Sequence, residues 1–128
     1  MFKIIMLVKK KPELSTEAFI ARWQQHSEKV LGFKDVLNIR HYTKTLPLQA
    51  SGQPATQRDT LPFEFDAMGE LWYDSRADFQ RARETEAGQA ALAALREDEA
   101  AFVDLQHSVM WFGEEERVLC CPKAACVA

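Results

Sequence analysis

His26, His41 and His107 are the three imidazoles of this 128-residue chain, and the surroundings of His26 say most. Phe19, Trp23, His26 and Val30 recur at spacings of four, three and four, which is one face of a helix. That face carries two aromatic rings and a group that titrates near neutral pH. A buried imidazole left without a partner costs about 1–3 kcal/mol, so this one needs a neighbour. Two readings stand: a core histidine bonded to a backbone carbonyl, and an imidazole aimed into a pocket. In the second, His26 is a general base or acid for cofactor-free proton transfer, which needs a near-neutral base within reach of the substrate. Asp66 and Glu70, expected on one strand face beside Trp72, are the carboxylates that could orient it or keep it protonated. They equally suit structural ion pairs. Phe19, Trp23, Tyr42, His41 and Trp72 are the expected substrate-binding residues, with core and interface packing the other use for the indoles, including Trp111. For His41 and His107 a sheet-face contact and a site both remain open.

Other chemistries find little support. The five glycines are dispersed, so no phosphate-cradling loop is formed. Cys120, Cys121 and Cys126 are an odd number, clustered near the C-terminus without a Cys-x-x-Cys pair or a nearby histidine. That argues against a disulfide framework and a zinc site, and residues 117–128 read as a frayed tail beyond a domain spanning 1–116. Net charge is −3 and the only basic run is Lys9-Lys10-Lys11, which disfavours nucleic acid as a partner. No apolar stretch reaches membrane-spanning length, and three lysines follow the apolar N-terminus where a signal peptide needs a small-residue cleavage site. The expected location is cytoplasmic.

The elements that must position these residues follow in order. Phe2 to Lys9 is apolar on both alternating sets, so both faces of that strand need cover. Ser15 suits an N-cap, with Leu14 and Phe19 as a hydrophobic staple, for a helix from Ser15 to Leu31 closed by Gly32 in a left-handed cap. Val36 to Thr43 reads as the second strand. Residues 46–64, with Pro47, Pro54 and Pro62, form a long connection suited to a dimer-embracing arm, a disordered segment or a substrate lid. Phe65 to Tyr73 is the third strand, where Gly69 marks a close approach by another group. Ser75 and Asp78 cap the next helix, which restarts at Thr85 and turns Ala91, Leu92, Leu95, Glu99 and Phe102 inward. Leu105 to Phe112 is the last strand.

Strand, helix, strand, strand, helix, strand is the split βαβ arrangement, an α+β ferredoxin-like fold. Two helices cover one face of a four-stranded antiparallel sheet, leaving large apolar side chains on the other. Two copies packed sheet to sheet about a two-fold axis would bury that patch, giving a homodimeric α/β barrel.

Several stretches resemble the EthD family of dimeric α/β-barrel proteins. Phe65-Asp66-Ala67-Met68-Gly69-Glu70-Leu71-Trp72-Tyr73-Asp74-Ser75 carries most of the resemblance. Phe19-x-x-x-Trp23 with His26, Ile39-Arg40-His41-Tyr42, Thr85 to Leu92, and Phe102 to Leu105 add to it, over residues 2 to about 116. Two features depart from the family pattern: His26 lies one position closer to the tryptophan than is usual, and Lys44-Thr45 replaces a polar pair after Tyr42. The resemblance implies a pocket between helices and sheet, working without metal or organic cofactor on a small molecule. Isomerase, decarboxylase or dehydratase chemistry on an aromatic, lactone or ether-derived substrate is one implied function. The other is a non-catalytic accessory or binding protein for an oxygenase pathway of the ethyl tert-butyl ether degradation type. A third expectation, from the residues alone, is a dimer without a pocket, in which His26 is simply packed.

Overall fold

The computed structural model describes residues 1–48 and 59–119. β1 (Phe2–Val8) runs through the centre of a four-stranded antiparallel sheet of order β2-β3-β1-β4, with β2 His41–Thr45, β3 Ala67–Tyr73 and β4 Val109–Glu114. The register pairs Met6 with Gly69 and with Met110, and Tyr42 with Leu71. Side chains directly opposite share a face, so Ile4, Met6, Gly69, Leu71 and Tyr42 point one way. The helices α1 (Thr16–Gly32), α2 (Arg76–Glu84) and α3 (Glu86–Glu99) lie against that side. This is the ferredoxin-like arrangement expected from the element order.

The helix starts follow the capping logic closely. Ser15, Ser75 and Thr85 accept backbone N–H bonds from Ala18, Asp78 and Gly88 at 3.1, 3.1 and 2.9 Å. Leu14 packs on the cluster that holds Phe19 and Phe102, both almost wholly buried. The second helical segment breaks at Thr85, so three helices, not two, cover the sheet. Gly88 permits the break: a Cβ there would sit 1.7 Å from the Ala82 carbonyl oxygen.

Three expected boundaries move. Gly32 is the last residue of α1 and does not take a left-handed conformation; Phe33 caps the helix through its N–H to the Val30 carbonyl, 3.0 Å away. The left-handed residue is Asn38, φ 60°, a type that tolerates this region. It sits in turns over 33–38, so the second strand begins at His41 and extends to Thr45. Leu37 drives this: its side chain is buried against Ala82 and Ala91, which alternation along a strand would not allow. Leu105–His107 is a single 3₁₀ turn, and the last strand shifts to Val109–Glu114. The expected arm or lid over 46–64 falls partly, at 49–58, outside the described residues, as do all three cysteines.

Candidate functional site

α1 presents Arg22, His26 and Lys29 on one face, and all three converge on Asp98 at the last turn of α3. His26 Nδ1 lies 2.7 Å from Asp98 Oδ2, with both side chains at most 6% exposed. Arg22 reaches the carboxylate with both terminal nitrogens, at 2.5 and 3.3 Å, and Lys29 at 2.7 Å. A carboxylate at a helix C-terminus faces the negative end of the dipole, and these cations offset that. Arg22 above all, then Lys29 and His26, holds the Asp98 carboxyl far below the usual range against the opposing effect of burial.

An ionised carboxylate only accepts hydrogen bonds. His26 Nδ1 therefore carries the proton, and Nε2 carries the lone pair. Burial pushes the imidazole pKa below its ordinary value, outweighing the attraction of Asp98, with Arg22 and Lys29 lowering it further. His26 is thus neutral near pH 7. Nε2 has no hydrogen-bond partner among the described residues. Every buried side-chain nitrogen or oxygen there is partnered, so Nε2 must reach accessible space.

That space is a cavity of about 220 Å³ between the helices and the sheet, with His26 in its wall. Ile4, Met6, Leu71, Leu92 and Leu95 make most of it apolar; Tyr42, Arg83, Arg96 and Glu99 are polar groups in the same lining. Tyr42 belongs to a closed relay. Trp23 Nε1 donates to its hydroxyl (3.0 Å), and Ser27 Oγ lies 3.1 Å from it. Ser27 gives its own proton to the Trp23 carbonyl, so Tyr42 donates to Ser27. The phenol has no proton left for a ligand. Its pKa is raised, first by burial. Burial likewise raises the Glu99 carboxyl. Adjacent carboxyls on α3 are thereby pushed in opposite directions, Asp98 down and Glu99 up, a pattern that separates an orienting anion from a group able to exchange protons. Among the described residues no three His, Cys, Asp or Glu side chains come together as metal ligands.

The structure brings His26, Trp23 and Tyr42 to this cavity and sends the other expected residues elsewhere. Phe19 is sealed in the core beside Phe102. Asp66 precedes β3 and clips the end of β1, accepting the Lys10 N–H at 2.8 Å. Glu70 and Trp72 point to the opposite sheet face, where Glu70 pairs with Lys3 at 2.6 Å and the Trp72 Nε1–H bonds Glu115 at 2.6 Å. His41 lies edge-on to Trp72 on that face. His107 pairs with Asp104 in an exposed turn. The carboxylate expected to orient His26 is therefore Asp98, not Asp66 or Glu70, because strand alternation turns Glu70 away from α1. The groups that Gly69 admits are the Trp23 indole and the Met6 methyl, each of which a Cβ would meet at 3.1 Å.

Asp98, Glu99, Arg83 and Arg96 were not among the sequence candidates. Glu99 did carry a signal: a carboxylate on the apolar stripe of a helix. Asp98 gave none, since its partners lie 69 to 76 residues away.

The sheet order and helix layer define a ferredoxin-like protein with a histidine-walled cavity beneath its helices. The EthD domain matches residues 11–106, and the chain belongs to the EthD family. An EthD family protein from Bacillus halodurans is 22% identical, with TM-score 0.58, covering 91% of this chain and 99% of its own. A dimeric ferredoxin-like protein of unknown function from Bacteroides fragilis is 14% identical (TM-score 0.56; 89% and 95% covered). An antibiotic biosynthesis monooxygenase is 15% identical (TM-score 0.50; 91% and 99% covered). No curated protein matches. At these identities the structural likeness establishes the fold.

Proposed function

We propose that the protein is a cofactor-independent proton-transfer enzyme acting on a small, largely apolar molecule held between helices and sheet. The observation that carries this is the neutral imidazole of His26, its Nδ1–H fixed by Asp98 and its Nε2 unpartnered in the cavity wall. Nε2 takes a proton from an acidic C–H or O–H of the ligand. The electron pair left behind moves onto the ligand's carbonyl or ring, and Asp98 stabilises the imidazolium that forms. Return of the proton to a different carbon gives isomerisation; return to a departing hydroxyl gives dehydration. Asp98 is a positioning residue in this scheme, and Glu99 is the second proton-exchanging group. Asp66 and Glu70, with His41 and Trp72, have no part in it.

Deuterium exchange into a panel of aromatic ketones, lactones and phenols, followed by NMR in D₂O, tests the scheme. At least one compound should exchange with the intact protein and not with His26→Gln. Exchange that persists in the variant at the same rate would refute it. An accessory role, holding such a molecule for an oxygenase, is the second reading, favoured by the Tyr42 relay, whose proton is already committed. Binding without exchange would select it.

The opposite sheet face supports a homodimer. Trp111 and Val109 are 51% and 40% exposed there, beside Ile5, Leu7, Met68 and Trp72. A second copy laid across this patch would remove it from water, and a ferredoxin-like structural neighbour is described as dimeric.

A further inference from the structure

We infer that the cavity takes its ligand as an anion, the carboxylate of a one-ring aromatic or alicyclic acid, held by Arg83 and Arg96. This rests on the cavity being the ligand site, as proposed above, and adds the class of ligand.

Two guanidiniums line a mostly apolar cavity, and neither forms an ion pair with a carboxylate among the described residues. Every other arginine described within the fold pairs with one: Arg22 with Asp98, Arg40 with Asp74, Arg81 with Asp78 and Arg117 with Glu115, Arg76 excepted. Arg83 is held in place by its surroundings. Its guanidinium lies 3.6 Å over the Phe79 ring and reaches the Phe79 carbonyl at 3.4 Å. The buried Tyr73 hydroxyl is near enough for it and Arg83 to shift each other's pKa. A planar fork pinned in this way is pre-organised to grip a carboxylate. Burial lowers the Arg83 pKa, and the charge of Arg96 lowers it again, so the two cations sense each other. An anion between them would relieve that repulsion. Glu99 lies in the same lining and feels the charge of Arg96, yet it makes no ion pair with either guanidinium, and burial raises its pKa. Neither guanidinium is therefore engaged by a carboxylate of the cavity wall among the described residues.

Size sets the rest of the ligand. A dry apolar cavity of about 150 Å³ accepts benzene. About 220 Å³ therefore holds one ring with short substituents. With its carboxylate on the two arginines and its ring against Leu71, Leu92 and Leu95, such an acid reaches toward His26 from within the same cavity.

The test is titration calorimetry on the intact chain with matched pairs: benzoate against benzamide, and cyclohexanecarboxylate against its carboxamide. The acid of at least one pair should bind about tenfold or more tighter than the amide, as charge-assisted bonds require. Arg96→Met, at an exposed position, should remove much of that preference. Arg83→Met/Arg96→Met should abolish it, with circular dichroism confirming the fold, and Glu99→Gln should strengthen acid binding. Equal binding of acid and amide overturns the inference, as does a preference that survives the double variant, or no acid binding at millimolar concentration. The two proposals fail separately. His26→Gln should lose exchange but keep the acid preference, so an anion site that stands while no compound exchanges refutes only the enzyme reading.

Discussion

Asp98→Asn isolates the physical basis of the site, because it removes one negative charge and almost no volume. The wild-type carboxylate is 4% exposed and accepts from Arg22, Lys29 and His26. Breaking a buried charge pair from one side costs about 3–5 kcal/mol when the remaining charges are buried as well. Here they are not all buried: Lys29 is 55% and Arg22 28% exposed, so water takes over much of their solvation. His26 is buried apart from its cavity side, but an asparagine oxygen can still accept its Nδ1–H. The net loss should therefore be about 1–3 kcal/mol, dominated by the charge-assisted bonds. A second effect is diagnostic. Asp98 raises the His26 pKa, so its neutralisation should lower that pKa further. The weaker base should then slow any exchange reaction at Nε2. Urea unfolding followed by tryptophan fluorescence measures the first quantity, and NMR titration of the His26 ring measures the second. A variant as stable as wild type, with His26 titrating at about 6.5 in both proteins, would refute the account.

Other expectations follow from the same structure. Activity that depends on neutral His26 should hold as pH falls through about 6.5 and drop only at lower pH, because burial lowers the folded-state pKa; a pH–rate profile checks this. For stability, the unfolded chain binds this proton more readily. His26 burial should therefore weaken the fold as pH falls below about 6.5, with the loss levelling off below the folded pKa. The Asp98 contribution is full above about 4, the unfolded carboxylate range, and is lost progressively as pH falls below it, so acid unfolding monitored by circular dichroism should show the imidazole first. Gly88→Ala should cost about 1–3 kcal/mol by overpacking, since its Cβ would strike the Ala82 carbonyl and the Thr85 hydroxyl; thermal melts report it. Trp111→Glu should convert a dimer seen by light scattering into a monomer without loss of helical signal, and an unchanged mass would refute the sheet-to-sheet pairing.

Periodicity and caps determined much of this molecule without any coordinates. The four-three-four spacing from Phe19 to Val30 placed His26 on the buried face of α1, and Ser15, Ser75 and Thr85 marked where helices start, because these are local facts of backbone geometry. The element order was enough for the ferredoxin-like sheet. The turn at 33–38 escaped, because Val36 to Thr43 alternates like a strand while Leu37 is drawn into the helix layer; only Asn38 hinted at it. The partner of His26 escaped for a different reason. Asp98 is 72 residues away, and a sequence holds no angle between α1 and α3. The same absence of angles sent the search to Glu70, which strand alternation turns to the far face of the sheet. Sequence thus determined which residue could do chemistry, and tertiary packing decided which carboxylate orients it and which two arginines share its cavity.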